Sequence, residues 1–206
     1  LEAGVSGVTV TISGASSTTA TTSITGAYSV TLPRGEYTIS FSVPSGYKNT
    51  TTNSQSVNLN ANKTVNFGIA LVHTLTGNVY TDLDIDAVKD ATETDNAGIT
   101  VSVSGPSSGS TTTDSNGNFT LSSLIQGTYT VTVVVPSGYR ATSTNPRSIN
   151  LTSSQSVSFG IAQVYTVSGT IFLDNNRSGA DDTGDGNYTG GTITFTGPVT
   201  ATARSG

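Results

Sequence analysis

The chain has 206 residues, a formal net charge of −5, and charged side chains at only 10% of its positions. It contains no Cys, which excludes a disulfide framework, and its eight Lys and Arg residues are scattered, which argues against nucleic-acid or anionic-membrane binding. No apolar run approaches the length of a membrane span. Abundant Ser and β-branched Thr suit half-solvated pleated surfaces and indicate a β-rich secreted protein, here expected to be an interior piece of a larger chain.

Internal repetition governs the organisation of the chain. V-P-S-G-Y at residues 43–47 recurs at residues 135–139, and F-G-I-A at residues 67–70 recurs at residues 159–162. We divide the chain into repeat one (residues 1–72), repeat two (residues 73–164) and a third segment (residues 165–206). Repeat one lacks a first strand and its loop, repeat two is complete, and the third segment supplies a first strand, a loop and a second strand. Motifs near the start of repeat one recur after 91 residues, whereas the two motifs above recur after 92 residues. This difference predicts one extra loop residue in repeat two.

The strands alternate with a period of two residues. Tyr129, Val131 and Val133 point to one face, while the intervening Thr residues point to the other. No helical pattern of convincing length is present. Roughly seven short strands per repeat, with turn signals every 8 to 12 residues, predict an all-β protein built from tandem seven-stranded antiparallel β-sandwiches of the Ig-like kind.

A hairpin turn recurs in both repeats with different chemistry. D-S-N-G in repeat two places Asp114 to accept backbone N–H bonds and Gly117 to supply a positive φ. Repeat one has S-I-T-G instead, so the cap given by Asp114 is predicted to be missing at Ser23.

Ten of the 13 acidic residues fall in two short windows, where their mutual repulsion would be greatest without a cation; a solvated acidic loop is the alternative. Residues 82–93, D-L-D-I-D-A-V-K-D-A-T-E, place carboxylates at positions 1, 3, 5, 9 and 12 of a twelve-residue loop. That is the ligand spacing of an EF-hand calcium loop, in which position 7 contributes a backbone carbonyl. The spacing recurs 92 residues later, and it predicts two calcium sites in register.

The predicted Ca²⁺ ligands of the first loop, named loop one, are Asp82, Asp84, Asp86, the Val88 carbonyl, Asp90 and Glu93. Those of the second, loop two, are Asp174, Asn176, Ser178, the Ala180 carbonyl, Asp182 and Asp185. Loop two offers fewer carboxylates, so weaker binding is predicted there. At position 6, loop two has Gly179 and loop one has Ala87, whose left-handed conformation would cost roughly 1 to 2 kcal/mol.

The order of these motifs resembles a known family more specifically than any one of them does. An acidic loop, then G-[VI]-T-V, then T-T-T-D-S-N-G-N-F-T-L and V-P-S-G-Y, is similar to the calcium-binding B repeats of Sdr-type bacterial surface adhesins, within the Cna-B, prealbumin-like repeats. The resemblance implies seven-stranded sandwiches, tandem stacking into a stalk, and calcium-dependent rigidity.

The sequence thus predicts a structural module in the stalk or fibre of an exported, extracellular cell-surface protein of adhesin type. The alternative is a carbohydrate-binding or spacer module of a secreted glycan-degrading enzyme, although the chain has no Trp for an aromatic platform. No Ser/His/Asp or Cys/His constellation can be assembled, so the chain is not expected to be an enzyme.

The expected partners are neighbouring repeats, joined by two-residue connections that are too short to be flexible linkers. The third segment of one chain could complete repeat one of another chain by strand addition into a filament. Residues 185–197 duplicate residues 2–14, which argues against a neat exchange, and an excised piece of a longer chain is the other explanation. No nucleic acid or membrane insertion is expected for this segment.

Overall fold

The computed structural model describes residues 2–197 and 199–206, and within these residues the regular structure consists of β-strands with no helix. Short β-branched and aromatic runs with period-two alternation form these strands, as their composition favours. In repeat two, Tyr129, Val131 and Val133 are buried, whereas Thr128 and Thr130 are exposed. The predicted all-β class is confirmed.

Repeat one holds five strands and the beginning of a sixth: β1 (Thr9–Gly14), β2 (Thr18–Thr21), β3 (Gly35–Phe41), β4 (Tyr47–Asn49), β5 (Ser54–Leu59) and β6 (Ile69–Thr81). An antiparallel sheet forms in the order β2-β1-β3-β5. β4 lies apart from this sheet and pairs with the first residues of β6.

Repeat two continues from β6 with seven further strands: β7 (Thr100–Ser104), β8 (Gly109–Thr112), β9 (Asn118–Ile125), β10 (Gly127–Val133), β11 (Tyr139–Ala141), β12 (Arg147–Leu151) and β13 (Gln155–Gln163). One sheet has the order β12-β10-β7-β8, and the other joins β11, β13, β6 and β9. Side chains from both sheets, among them Val131 and Phe159, share one buried core, which makes repeat two a β-sandwich. It has seven strands of four or more residues and the three-residue β11.

One strand pair departs from the antiparallel prediction. β13 runs parallel to β6, with seven residue pairs in register from Gln155↔Leu75 to Ile161↔Thr81. The reason lies in the tandem arrangement, because β6 is both the last strand of repeat one and the first strand of repeat two. When stacked repeats share one direction, the first and last strands of each repeat must run the same way.

The connection between the repeats is itself a strand. β6 continues for 13 residues without interruption, pairing with β4 before Val72 and with β9 from Val72 onward. Backbone hydrogen bonds therefore fix the residues on both sides of the boundary. A flexible joint is excluded at this position.

The extra residue of repeat two was predicted to lie in a loop. It lies in a strand instead. Leu121 follows its counterpart Val30 by 91 residues, whereas Gly127 follows Gly35 by 92. Between them, Ser123 adopts φ 58°, and the pairing of β9 with β6 shifts register between His73 and Leu75. The insertion is a β-bulge, which two strands accommodate without losing their pairing.

The hairpin turns partly correct the sequence prediction. The Asp114 carboxylate accepts bonds from the Asn116 and Asn118 amides, both at 2.8 Å, and Gly117 has φ 67°, as predicted. The cap at Ser23 is not missing, because its hydroxyl accepts bonds from the Thr25 and Ala27 amides at 3.3 Å. A shorter neutral side chain makes the same bonds at greater length.

The third segment contains two isolated hairpins made of short strands: β14 (Phe172–Leu173) with β15 (Gly186–Asn187), and β16 (Thr192–Phe195) with β17 (Ala201–Arg204). The first strand predicted from Tyr165 is regular only at its last two residues. Its counterpart β6 is held between β9 and β13, and the described part of the third segment provides no such neighbours.

Candidate metal site

Loop one begins where β6 ends, and backbone hydrogen bonds close it at its base. The Thr81 amide donates to the Thr94 carbonyl at 2.8 Å, and the Asp82 amide donates to the Ile161 carbonyl at 2.9 Å. The second bond ties the loop to β13. Loop one therefore lies at the end of the sandwich from which the chain leaves toward the third segment.

Asp82, at position 1, is the anchor of loop one. Only 1% of its surface is exposed, and its two carboxylate oxygens accept bonds from the Ile85 amide at 2.6 Å and the Ala87 amide at 2.9 Å. Burial raises the pKa of Asp82, but the hydrogen bonds to its carboxylate outweigh burial and leave the pKa below its ordinary value. The loop thus holds a buried carboxylate in its charged form.

Three carboxylates converge in loop one. Asp82, Asp84 and Asp86 each offer an oxygen, and these oxygens lie within 4.8 Å of one another. Desolvation and then the negative charge of Asp86 raise the pKa of Asp84. Lys89 does not neutralise the cluster, since its ammonium pairs with Asp95 at 2.5 Å. The arrangement concentrates negative charge on hard oxygen atoms.

The other predicted side-chain ligands of loop one lie outside the cluster of three carboxylates. Glu93 is 8% exposed, and its two oxygens accept bonds from the Leu83 amide at 2.7 Å and the Asp90 amide at 2.9 Å. The Val88 amide donates to Asp86 at 2.7 Å. Glu93 therefore links the two ends of the loop through hydrogen bonds. Neither Glu93 nor Asp90 belongs to the cluster of three carboxylates.

Loop two repeats this backbone in detail. Both loops have left-handed residues at positions 4 and 6, namely Ile85 (φ 67°) and Ala87 (φ 64°) in loop one, and Arg177 (φ 60°) and Gly179 (φ 76°) in loop two. The left-handed backbone conformation is strained for any residue other than glycine. Ala87 is thus strained, as the sequence predicted for a left-handed position 6.

The carboxylates at the ends of loop two make the same bonds as their counterparts. Asp174 accepts from the Gly179 amide at 2.9 Å, as Asp82 does from Ala87. Asp185 accepts from the Asn175 amide at 3.0 Å and the Asp182 amide at 3.3 Å, as Glu93 does in loop one. The predicted register of the two loops thus extends to their hydrogen bonds.

The middle of loop two differs in charge. The Asn176 side-chain NH₂ donates to both oxygens of Asp182, at 3.0 and 3.1 Å, and the Ser178 hydroxyl donates to Asp182 at 3.0 Å. Neutral donors occupy the positions where loop one has Asp84 and Asp86. Loop two therefore satisfies part of its negative charge with side chains at positions 3 and 5, whereas loop one has further carboxylates at those positions.

The sequence analysis missed the residues on which loop one rests. A β-carbon at Gly160 of β13 would overlap the Thr142 hydroxyl and lie 3.0 Å from both Asp82 Oδ2 and the Tyr80 hydroxyl, so glycine makes room for these polar groups around the buried carboxylate. Burial, followed by the charges of Asp82, Glu93, Asp86 and Asp84, raises the pKa of Tyr80 to about 12. Gly160 is the second residue of the repeated F-G-I-A motif, and this repetition is what marks it in the sequence.

Comparisons with solved structures found pilins. The chain is similar to the minor pilin GBS52 of Streptococcus agalactiae, at 18% identity over 81% of this chain and 87% of that chain, with a TM-score of 0.39. It is also similar to the shaft pilin SpaA of Lactobacillus rhamnosus GG, at 18% identity over 80% and 90% of the two chains, with a TM-score of 0.41. At these identities and scores the similarity carries no conclusion about function.

A comparison with curated protein sequences found no match. In the part of the chain that the structure describes, no helix has the length and apolar character to cross a membrane. The family model described as the SdrD B-like domain matches twice, over residues 1–72 and residues 73–169. These matches confirm the resemblance carried by the order of the motifs and cover most of the chain, which therefore belongs to the SdrD B-like domain family.

Proposed function

We propose that this structural repeat module is a calcium-stiffened segment of the stalk or fibre of an exported, adhesin-like protein on a microbial cell surface. The observation that carries the proposal is the cluster of Asp82, Asp84 and Asp86 at the outgoing end of repeat two, where loop one is bonded to β13. Calcium is abundant outside cells, and the chain has no cysteine with which disulfides could fix its loops.

The residues present fit Ca²⁺. The cluster consists of carboxylate oxygens alone, and hard oxygen ligands are those that calcium selects. Loop one would hold the ion through Asp82, Asp84, Asp86, the Val88 carbonyl, Asp90 and Glu93. Loop two would do so through Asp174, Asn176, Ser178, the Ala180 carbonyl, Asp182 and Asp185. Both loops already have the left-handed backbone at positions 4 and 6.

The mechanism is the removal of repulsion at a junction. A bound cation would offset the negative charge of Asp86, which adds to desolvation in raising the pKa of Asp84. Asp82 would pass this stabilisation to β13 through the bond between its amide and the Ile161 carbonyl, 2.9 Å long. β13 leads directly into the third segment, so a fixed loop one would restrict how the next unit is oriented.

Continuity of β6 supplies the rest of the stiffness. This strand passes from repeat one into repeat two while paired on both sides of the boundary. A stalk composed of such units bends little at each joint, because bending would break backbone hydrogen bonds. Tandem neighbouring repeats are therefore the proposed partners.

Thermal unfolding in excess calcium and in excess chelator tests the proposal. Calcium at about 100 times its Kd should stabilise the calcium-binding part by about 2.7 kcal/mol, since a ligand that binds only the folded state shifts the equilibrium by mass action. Asp82→Asn should remove the response of loop one. Asp114→Asn, which alters an aspartate in a turn outside both loops, should keep it. An unchanged melting midpoint in the unsubstituted chain would overturn the calcium claim.

A further inference from the structure

The two sheets of repeat two are joined by a short irregular segment, residues 142–146, which we name the strap. It follows β11 and first binds β13. The Thr142 amide donates to the Gly160 carbonyl at 3.0 Å, and the Gly160 amide donates to the Ser143 hydroxyl at 3.1 Å. These two bonds attach the strap at the same glycine that makes room for Asp82.

The far end of the strap binds the other sheet. The Asn145 side chain accepts a hydrogen bond from the Val133 amide at 2.9 Å and donates one to the Val133 carbonyl at 2.8 Å. Val133 belongs to β10, which pairs with β7 and β12. One short segment therefore ties β13 of one sheet to β10 of the other.

The first residue of the strap also lies beside the anchor of loop one. Thr142 Oγ1 and Asp82 Oδ2 both lie within 3.0 Å of the place that a β-carbon at Gly160 would take, so the two oxygens share one small space. Thr142 Oγ1 is buried, and among the described residues it has no hydrogen-bond partner of close geometry. A looser hydrogen bond from Thr142 lowers the pKa of Asp82, against the effect of burial. The strap thus offers a buried donor to the carboxylate at position 1 of loop one.

The position of the Asp82 carboxylate decides how well this donor is satisfied. A buried donor without a good acceptor costs free energy, whereas hydrogen bonds to charged groups are among the strongest in a protein. Their strength depends on the distance and direction of the acceptor. A cation held by Asp82, Asp84 and Asp86 would fix the Asp82 carboxylate in one orientation. A fixed acceptor would complete the hydrogen bond from Thr142.

We propose that calcium in loop one closes the strap by fixing the Asp82 carboxylate as the acceptor of the Thr142 hydroxyl, and thereby fastens β10 to β13. The inference rests on the calcium site proposed above and adds a route from that site to the second sheet. Thr142 is a positioning residue, since it acts through Asp82 and is not one of the ligands. By linkage, the factor by which calcium favours the closed strap equals the factor by which the closed strap raises calcium affinity.

Repeat one contains the same strap and provides an internal reference. T-S-T-N at residues 142–145 corresponds to T-T-T-N at residues 50–53. The Thr50 amide donates to the Gly68 carbonyl, and the Gly68 amide donates to the Thr51 hydroxyl, both at 2.9 Å. These bonds lie outside loop one and loop two, so calcium in either loop should leave them unchanged.

Amide hydrogen exchange, followed by NMR in excess calcium and in excess chelator, measures opening of the strap. Calcium should slow exchange of the Gly160 and Val133 amides about tenfold, which is the effect of one hydrogen bond to a charged group. The matched control is the Ile125 amide, which donates to the Ser107 hydroxyl at 3.2 Å near the boundary with repeat one. Exchange at Ile125 and at Gly68 should change little, whereas a general stabilisation of repeat two would slow Ile125 as well.

Thr142→Val removes the hydroxyl at nearly constant side-chain volume. It should abolish the calcium-dependent slowing at Gly160 and Val133. Thr142→Ser, which keeps a hydroxyl, should restore the slowing. Thr144→Val makes the same change at an exposed position of the strap and should leave the slowing in place. A purely structural role of Thr142 would alter exchange equally with and without calcium, so the ratio of the two rates separates the two roles.

Calorimetric calcium titration of the same samples separates this proposal from the calcium claim. Thr142→Val should lower affinity at loop one by a factor similar to the slowing of exchange. Calcium binding with equal slowing at Gly160 and Ile125, or slowing that survives in Thr142→Val, would overturn the strap proposal and leave the calcium site intact. The absence of calcium binding would overturn both. The comparison of Gly160 with Ile125 uses the unsubstituted chain and does not depend on the folding of any variant.

Discussion

Repeat one and repeat two have nearly the same pattern of strands and turns, but only repeat two closes its core. Phe159 is 1% exposed and belongs to a core that includes side chains of β6, whereas its counterpart Phe67 is half-buried. The difference is one strand, the first. The comparison teaches that the sandwich depends on its first strand for burial as well as for connection to its neighbour.

The largest expected effect comes from weakening that strand where it is in place. Leu75→Ala should lower the free energy of unfolding of repeat two by about 2–5 kcal/mol, because it leaves a cavity beside a residue that is 1% exposed. The matched change is Val167→Ala at the equivalent, 74% exposed position. Val167→Ala should have little effect on the free energy of unfolding, because the side chain is already exposed to solvent. Urea unfolding measures both, and equal losses would contradict the comparison.

Exchanging one residue between the two loops should narrow the difference in their calcium affinity. Asp86→Ser gives loop one the side chain of loop two at position 5, and Ser178→Asp makes the reverse change. We expect affinity to fall about tenfold at loop one, or about 1.4 kcal/mol, and to rise at loop two. Calorimetric titration of each variant measures the two sites. Equal affinities in the unsubstituted chain would contradict the ranking.

Backbone strain at position 6 gives a smaller effect. Ala87 and Gly179 both have positive φ, 64° and 76°. Ala87→Gly should stabilise loop one by about 1 kcal/mol, and Gly179→Ala should destabilise loop two by a similar amount. Thermal unfolding in the presence of calcium gives the signs. Two changes of the same sign would show that strain does not govern this position.

The smallest expected effect is the contribution of Tyr28 to the loss of stability at alkaline pH. Burial raises the pKa of Tyr28, whose counterpart Phe119 has no ionisable group. The neutral phenol is favoured in the folded state, so its contribution is complete below the ordinary pKa of 10.0 and is lost as the pH rises through the raised value. The Tyr28 hydroxyl donates a hydrogen bond to the Val65 carbonyl at 2.8 Å, and the phenolate cannot. The loss of stability should therefore be up to about 1 kcal/mol. In unfolding measured against pH, Tyr28→Phe should remove this contribution and leave that of Tyr80, whose pKa is raised to about 12.

Much of this architecture could be predicted from local patterns. Period-two alternation marked Tyr129 and Val131 as core residues, and the duplicated loop spacing indicated that Asp82, Asp84 and Asp86 belong together. These features depend on residues close in sequence, where periodicity and spacing determine which side chains meet. The left-handed conformation of Ala87 followed from its position in the same loop.

Features that depend on distant pairing could not be predicted in this way. The parallel neighbours β6 and β13 meet across the whole of repeat two, and the support that Gly160 gives to Asp82 requires that pairing. Comparing the lengths of the two repeats shows that repeat two has one extra residue, but it does not show that the extra residue forms a bulge at Ser123. The predicted first strand of the third segment fails for a similar reason, since a strand is regular only when its neighbours are present.

The parallel pairing of β6 with β13 has a mechanical consequence. A pull along the stalk enters repeat two at the start of β6 and leaves at the end of β13. Because the two strands are parallel neighbours, this tension slides them past each other in shear and does not peel them apart. All seven residue pairs from Gln155↔Leu75 to Ile161↔Thr81 then resist together, which makes repeat two hard to extend along the direction in which a surface fibre is stretched.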